Sequence, residues 1–266
     1  MQFAIFRLRR KIIADFPQRA IHKTVGKHLR KSEIQLELRQ IKTFSDSRLD
    51  TQCAYCGKYP DTRDHVPSKI LLEKPYPENL PVVPSCLDCN NGFSLDEEYF
   101  ACLIECLISG TTDLDKLSRE SIVKTLKRKT KLKARLDDAF VNENGKSHFK
   151  IEPERIENVI LKLAYGHVKF ENSDRQWEKP EHIAFVPIDT LSEDELNSFF
   201  AVTELQKAPE IGSRAMQNMY LTQDGIPIDN WNIVQDGIYQ YSVTPTIGSV
   251  KVRILIWNYL VCEVIW

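Results

Sequence analysis

Two pairs of cysteines carry the first chemical signal in this sequence. Cys53 and Cys56 are separated by two residues, and Cys86 and Cys89 repeat that spacing further along the chain. Each Cys-x2-Cys turn aims two thiolates at one point, so two such turns provide the four ligands of a tetrahedral zinc site. The sequence therefore predicts one structural Zn²⁺ bound by these four cysteines.

Three polar residues lie next to the cysteine pairs. Asp64 and His65 follow the first pair, and Asn90 comes directly after Cys89. Closing the zinc site would bring a carboxylate, an imidazole and an amide oxygen into one small volume. Oxygen ligands suit a hard cation such as Mg²⁺ or Mn²⁺, and an imidazole with an ordinary pKa of about 6.5 can act as a general base near neutral pH. Phosphodiester hydrolysis needs both functions.

At these positions the sequence resembles the HNH endonuclease family. The ββα-metal motif of that family carries its elements in the order found here: Cys53-x2-Cys56, Asp64-His65-Val66-Pro67, Asn79-Leu80 and Cys86-x2-Cys89-Asn90. The third signature position is Asn90 rather than histidine, as in the branch of recombination endonuclease VII. The interval from Asn79 to Cys86 is slightly long for the family, and it contains Pro81 and Pro84.

The resemblance implies a fold, an activity and a role for each site residue. It implies a ββα-metal zinc module that hydrolyses phosphodiester bonds in DNA. Asp64 and Asn90 would hold Mg²⁺ or Mn²⁺, His65 would be the general base, and Asn79 would orient that histidine or brace the loop. It further implies a setting in defence against foreign DNA, with a partner protein of a defence complex as an additional expectation.

A second class of function stays open at this point. A zinc-stabilised module can bind nucleic acid or protein without catalysis, and Asp64 and Asn90 would then be incidental. The joint presence of Asp64, His65 and Asn90 favours the nuclease.

Positive charge is concentrated in two segments of a chain whose net charge is −1. Residues 1–50 contain twelve Lys or Arg and five Asp or Glu, a net charge of +7. A second run has seven cations within residues 124–135. Local basic patches are typical of proteins that contact phosphate backbones, although a solvated helix face is an equal alternative. The predicted nucleic-acid contacts in the second run are Lys124, Lys127, Arg128, Lys129, Lys131 and Lys133.

The remaining pattern predicts an α+β protein in three parts. Residues 1–50 are interpreted as a basic N-terminal arm with one or two helices, with a partly disordered, solvated tail as the alternative. Residues 51–110 are interpreted as the zinc module, in which a short β-hairpin carries Asp64 and His65 and an extended loop joins the cysteine pairs. Ser94 and Glu97 have the spacing of a capping box at the start of a helix that Gly110 ends, and Glu97 or Glu98 stays open as an extra metal ligand. In residues 111–266 the pattern predicts helix at 113–140, a turn at 142–145, and a further helix that Pro153 begins and Gly166 ends or bends. An antiparallel sheet should follow, with strands at 183–186, 199–203, 216–221, 238–243 and 250–266.

Composition limits the class of protein. No segment has the apolar length of a membrane span, and the charges at the N-terminus follow the apolar residues, the reverse of a signal peptide. A cytoplasmic location is expected, where thiols stay reduced. Cys102, Cys106 and Cys262 are then predicted to be buried small side chains rather than ligands. The oligomeric state stays open, with a homodimer as one alternative.

Overall fold

A computed structural model describes residues 15–17, 50–78, 80–143, 146–201, 210–216 and 231–266. Helices and antiparallel sheets alternate along these ranges, which confirms the α+β class. None of the helices in these ranges combines the length and the apolar character that a membrane span requires. The strands are β1 Asp15–Pro17, β2 Thr62–His65, β3 Val82–Ser85, β4 Phe140–Glu143, β5 Lys146–Lys150, β6 His182–Pro187, β7 Trp231–Gln235, β8 Tyr239–Thr246, β9 Ser249–Ile256 and β10 Leu260–Ile265. The α-helices are α1 Leu87–Gly92, α2 Ser94–Ser109, α3 Glu120–Arg128, α4 Thr130–Ala139, α5 Pro153–Asn172 and α6 Glu193–Phe200.

A two-stranded antiparallel sheet lies between the cysteine pairs. In this sheet β2 pairs with β3, with Asp64 opposite Val83 and His65 opposite Val82. The prediction of an extended loop between the cysteine pairs was therefore wrong in part, because this segment contains a 3₁₀ turn at Lys69–Leu71 and ends in strand β3. A proline at position 84 is tolerated in the strand because a two-stranded sheet has only edge strands, where a missing N–H need not break a ladder.

The start of helix α2 differs from the predicted capping box. Helix α1 leads into α2 through Phe93, whose backbone is itself helical at φ −87° and ψ −15°, so no extended N-cap residue precedes Ser94. The Ser94 hydroxyl donates to the Asn91 carbonyl oxygen at 2.7 Å instead. Glu97 points into the protein interior. Gly110 ends the helix in the left-handed conformation, as predicted.

Helix α5 is the central helix of the second half of the chain. Pro153 begins it, as predicted, but Gly166 does not end it, because the helix continues to Asn172. Close packing against another segment explains why position 166 holds a glycine. A Cβ atom there would lie 2.6 Å and 2.9 Å from the two methyl carbons of Val66, the residue after His65. Glycine at this position lets α5 approach the site segment closely.

This close approach leads to a prediction about stability. We expect Gly166→Ala to destabilise the zinc-loaded protein by about 1–3 kcal/mol in urea unfolding, because displacing the fully buried Val66 outweighs alanine's higher helix propensity. Gly92→Ala is the matched control, since a Cβ atom there would meet nothing within 4 Å. Equal free energies of unfolding for the two variants would contradict the packing argument.

The C-terminal sheet has five antiparallel strands in the order β6-β10-β9-β8-β7. The predicted strand at 199–203 was wrong, because helix α6 continues to Phe200. The start of this helix has a signal in the sequence, because Ser192 and Glu195 have the spacing of a capping box. In the structure the Ser192 hydroxyl accepts from the Glu195 backbone N–H, and the Glu195 carboxylate accepts from the Ser192 N–H. The predicted strand at 216–221 begins with Met216, which lies in a helical turn, and its other residues lie outside the described ranges.

A small three-stranded sheet has the order β1-β5-β4. Strand β1 belongs to the segment interpreted as a basic arm, and it pairs antiparallel with β5. The rest of residues 1–49 lies outside the described ranges, so the helices predicted for the arm stay a prediction.

One hydrophobic core connects both sides of residue 110. The same buried cluster contains Val66 and Phe100 together with Leu163 of α5 and Ile254 of β9. Helix α2 packs against α5, and α5 packs against the five-stranded sheet. The zinc-module segment and the C-terminal segment are therefore positioned relative to one another by a shared core. Cys102, Cys106 and Cys262 are buried in it, as predicted.

Candidate metal centre and polar site

The four predicted zinc ligands lie together. The sulfur atoms of Cys53, Cys56, Cys86 and Cys89 are all within 4.8 Å of one another, and the Sγ atoms of Cys56 and Cys86 are 3.6 Å apart. Tetrahedral zinc with Zn–S bonds of about 2.3 Å would place neighbouring sulfurs about 3.8 Å apart. The cluster is compatible with a structural zinc ion, and it is the only group of this kind within the described ranges.

The environment of the thiols also fits a cation. Burial opposes ionisation of Cys53, but hydrogen bonds from the backbone around Cys86, Cys56 and Tyr55 outweigh it and lower the pKa of Cys53 to about 7. Burial and hydrogen bonds with the neighbouring thiols raise the pKa of Cys89. Four adjacent thiolates repel one another unless a divalent cation lies between them, so this donor set suits Zn²⁺.

The cysteine cluster is joined directly to the two-stranded sheet. The Ala54 backbone N–H, between the first two cysteines, donates to the Pro84 carbonyl oxygen of β3 at 2.9 Å. Cys86 follows β3 at once and precedes α1, the short helix that carries Cys89 and Asn90. The cluster thereby sets the position of α1 against the sheet.

Asn90 contacts the strand that carries Asp64 and His65. Its Nδ2 donates to Thr62 Oγ1 at 3.3 Å and to the Arg63 carbonyl oxygen at 3.2 Å. Alternate residues of a strand project to one face, so Thr62 and Asp64 share a side of β2. Within the described ranges no donor reaches Asn90 Oδ1, which leaves this oxygen for a ligand.

Asp64 is held from one side only. The Tyr55 hydroxyl donates to Asp64 Oδ2 at 2.8 Å, and Lys162 Nζ lies 2.8 Å from the same oxygen. The second oxygen, Oδ1, has no partner in the part of the chain that the structure describes. It is not one of the fully buried polar atoms that lack a partner, so it keeps access to solvent. This oxygen can serve as a cation ligand.

His65 is half-buried and its ring makes no hydrogen bond or ion pair to any described residue. Desolvation on burial, the main cause, and the positive charge of Lys69 lower the pKa of His65 below its ordinary value of 6.5. They outweigh the opposite effect of Asp64. The imidazole is therefore neutral at neutral pH, which is the state that a general base requires.

The structure adds two residues that the sequence analysis missed. Lys162 of α5 contacts both Asp64 and Glu97, and Ser68 contacts Lys162 and Glu97. Glu97 was predicted to be a capping residue, with Glu97 or Glu98 as an extra metal ligand kept as the alternative, but its contact with a buried lysine was not predicted. Lys162 lies on a helix with a clear apolar face, and nothing in its local sequence distinguishes it from a solvated lysine. Only tertiary packing identifies it.

The remaining predicted site residues have mixed outcomes. Asn79 lies outside the described residues, so its predicted role stays a prediction.

Three of the six cations predicted to contact nucleic acid pair within the chain: Lys124 with Glu120 at 2.7 Å, Lys129 with Glu98 at 2.6 Å, and Lys133 with Asp137 at 2.6 Å. Among the described residues, none forms an ion pair with Lys127, Arg128 or Lys131. The positive charges of these three side chains are therefore not paired within the described residues and could contact an external partner.

Comparisons with protein-family models, with curated proteins and with solved structures return no match to this chain. Arguments about function therefore depend on the residues and geometry of the site.

Proposed function

We propose that this protein is a metal-dependent endonuclease of the HNH type that hydrolyses phosphodiester bonds in DNA. One observation carries the proposal. Asn90, next to the zinc ligand Cys89, bonds to strand β2, and that strand bears Asp64 and His65. A structural zinc site alone would not require a carboxylate, an imidazole and an amide at this junction.

The arrangement of elements supports the same proposal. Strands β2 and β3 followed by helix α1 are interpreted as the ββα-metal motif, with the first cysteine pair before β2 and the second at the start of α1. The HNH resemblance implies this order of elements. In this interpretation the zinc is structural and lies apart from the catalytic cation.

Each residue of the proposed site has a separate role in hydrolysis. His65 accepts a proton from the attacking water as a bond forms from the water oxygen to phosphorus. The bond from phosphorus to the leaving oxygen breaks, and that oxygen takes up a proton from solvent. Asp64 Oδ1 and Asn90 Oδ1 would hold Mg²⁺ or Mn²⁺, which supplies charge neutralisation at the phosphate when bound. Lys127, Arg128 and Lys131 are the proposed contacts to the DNA backbone, so DNA binding should weaken as salt concentration rises.

Plasmid cleavage under defined cation conditions tests the proposal. We expect cleavage by the zinc-loaded protein with added Mg²⁺ or Mn²⁺ and none when these cations are omitted. Omission is better than EDTA alone, because EDTA also removes structural zinc. Failure to cleave DNA with either cation, with zinc retained, would favour the alternative of a non-catalytic module that binds nucleic acid or protein.

Asp64→Asn gives a more specific prediction. The carboxamide keeps the shape of the side chain but loses the charged ligand, so half-maximal cleavage should require an Mg²⁺ concentration about 10–100-fold higher. Asp88→Asn is the matched control, since Asp88 lies on the neighbouring helix α1 with a side chain that is 86% exposed. Identical Mg²⁺ dependence of the two variants would exclude Asp64 as a ligand.

A further inference from the structure

The ammonium group of Lys162 is enclosed beside the proposed cation site. Its Nζ lies 2.8 Å from Asp64 Oδ2 and 2.9 Å from Ser68 Oγ, and it also donates to Glu97 Oε1. Lys162 is 1% exposed, Asp64 6% and Glu97 7%. A buried ammonium thus has three oxygen partners contributed by three separate segments of the chain.

These partners lie on elements that are far apart in sequence. Asp64 is on β2, Ser68 precedes the 3₁₀ turn, Glu97 is in the first turn of α2, and Lys162 is in the middle of α5. Helix α5 is held against the site segment by Gly166, one helical turn after Lys162, where it meets Val66. The ammonium group of Lys162 is therefore enclosed where β2, α2 and α5 pack together.

The geometry also determines which face of Asp64 remains open. Lys162 and the Tyr55 hydroxyl both contact Oδ2, whereas Oδ1 is left without a partner in the described residues and keeps access to solvent. Glu97, the second buried carboxylate, is likewise in contact with Lys162 and Ser68. Without the ammonium, two carboxylates and a hydroxyl would converge on one position and offer the oxygen ligands that a divalent cation prefers.

We propose that Lys162 is a positioning residue of the site: its ammonium occupies the inner cation position between Asp64, Glu97 and Ser68, and so confines a divalent cation to the outer oxygen of Asp64. This inference rests on the proposed function for the identity of Asp64 as a metal ligand. It assigns to the C-terminal half of the chain a direct part in the site, because α5 supplies the lysine.

The proposal predicts two effects of opposite direction in Lys162→Met. Removing a positive charge adjacent to a cation-binding carboxylate should tighten Mn²⁺ binding by at least about tenfold. The cation would then bind at the inner position instead of at Asp64 Oδ1, so the cleavage rate at saturating Mn²⁺ should fall about 10–100-fold. A lysine that only stabilises the fold would not make cation binding tighter while making cleavage slower.

Mn²⁺ binding to the zinc-loaded, full-length protein, measured by electron paramagnetic resonance of the free ion, tests the inference without any nuclease assay. Lys162→Arg keeps the charge and should keep the wild-type Mn²⁺ affinity. Lys169→Met is the matched control, because Lys169 is also buried on α5 but its Nζ donates to the Ser173 carbonyl oxygen instead. Its Mn²⁺ affinity should equal that of the wild type.

The outcomes separate this inference from the proposed function. Tighter Mn²⁺ binding in Lys162→Met alone supports the inner cation position even if no variant cleaves DNA, in which case only the nuclease proposal fails. Unchanged, weaker or undetectable Mn²⁺ binding in Lys162→Met overturns the inference, even if the wild type is an active nuclease. Should the methionine variant not fold, Lys162→Gln carries the same loss of charge with an amide that can donate to both carboxylates, and the same criteria apply to it.

Discussion

Replacing His65 by alanine is expected to lower the rate of DNA cleavage by about 10²–10⁴-fold, the usual contribution of a positioned general base. The variant should still fold and bind zinc and DNA, because the His65 ring makes no hydrogen bond or ion pair to any described residue. The measurement is single-turnover plasmid cleavage at saturating Mg²⁺, together with zinc content. A fall in rate with zinc retained would assign the loss to chemistry rather than to unfolding.

His148→Ala provides the comparison for this experiment. His148 is a half-buried histidine of strand β5, in a different sheet from the one that carries His65. Its replacement should leave the cleavage rate within about twofold of the wild type, since it contributes no base to the reaction. Wild-type cleavage by His65→Ala would remove the base from the mechanism and make the non-catalytic module the better account of this protein.

Replacing Cys86 by serine is expected to abolish stable zinc binding and to unfold residues 51–95. Zinc bound by four thiolates in small modules contributes roughly 10–16 kcal/mol, comparable with the stability of a whole domain. Cys86 lies between β3 and α1, so its loss would release the helix that carries Asn90 from the strand that carries Asp64. Elemental analysis and urea unfolding of the purified variant would measure both consequences.

Cys102→Ala is the matched control for the zinc ligand. Cys102 is a buried cysteine of helix α2 outside the four-sulfur cluster, and burial raises the pKa of its thiol to about 12. This replacement should keep one zinc per chain and cost only about 1 kcal/mol, as expected for a small core truncation. A Cys86→Ser protein with full zinc content and unchanged stability would exclude Cys86 as a ligand.

The second half of the chain contacts the loop between the cysteine pairs. Arg119 donates to the carbonyl oxygens of Ile70 and Leu72 at 2.7 and 3.0 Å, and Trp257 Nε1 donates to the Leu71 carbonyl oxygen at 3.0 Å. Such loops are usually mobile when their backbone groups face only water. Here the backbone of residues 70–72 is fixed by the residue that precedes α3 and by the turn between β9 and β10, which helps to hold the segment after His65.

The sequence alone predicted those features that depend only on residues close together in the chain. Cysteine spacing predicted the four-sulfur cluster, because a two-residue turn determines where two thiolates point. Pro153 and Gly110 correctly marked a helix start and a helix end, since their backbone restrictions act at their own positions. The capping box that begins α6 was equally local, and it was available in the sequence although the segment was predicted to be a strand.

Tertiary structure decided what depends on groups distant in sequence. Glu97 has the spacing of a capping residue, yet it faces Lys162, because α1 continues into α2 and turns that side chain toward the core. Gly166 resembles a helix stop, yet Val66 packs against it inside a continuous helix. Lys162 reaches Asp64 across 98 positions in the chain. Sequence alone determined which residues could hold zinc and which could act as acid, base or ligand. Only the packing of α5 determined that one oxygen of Asp64 is occupied and the other is free, because burial and ion pairing depend on the whole fold.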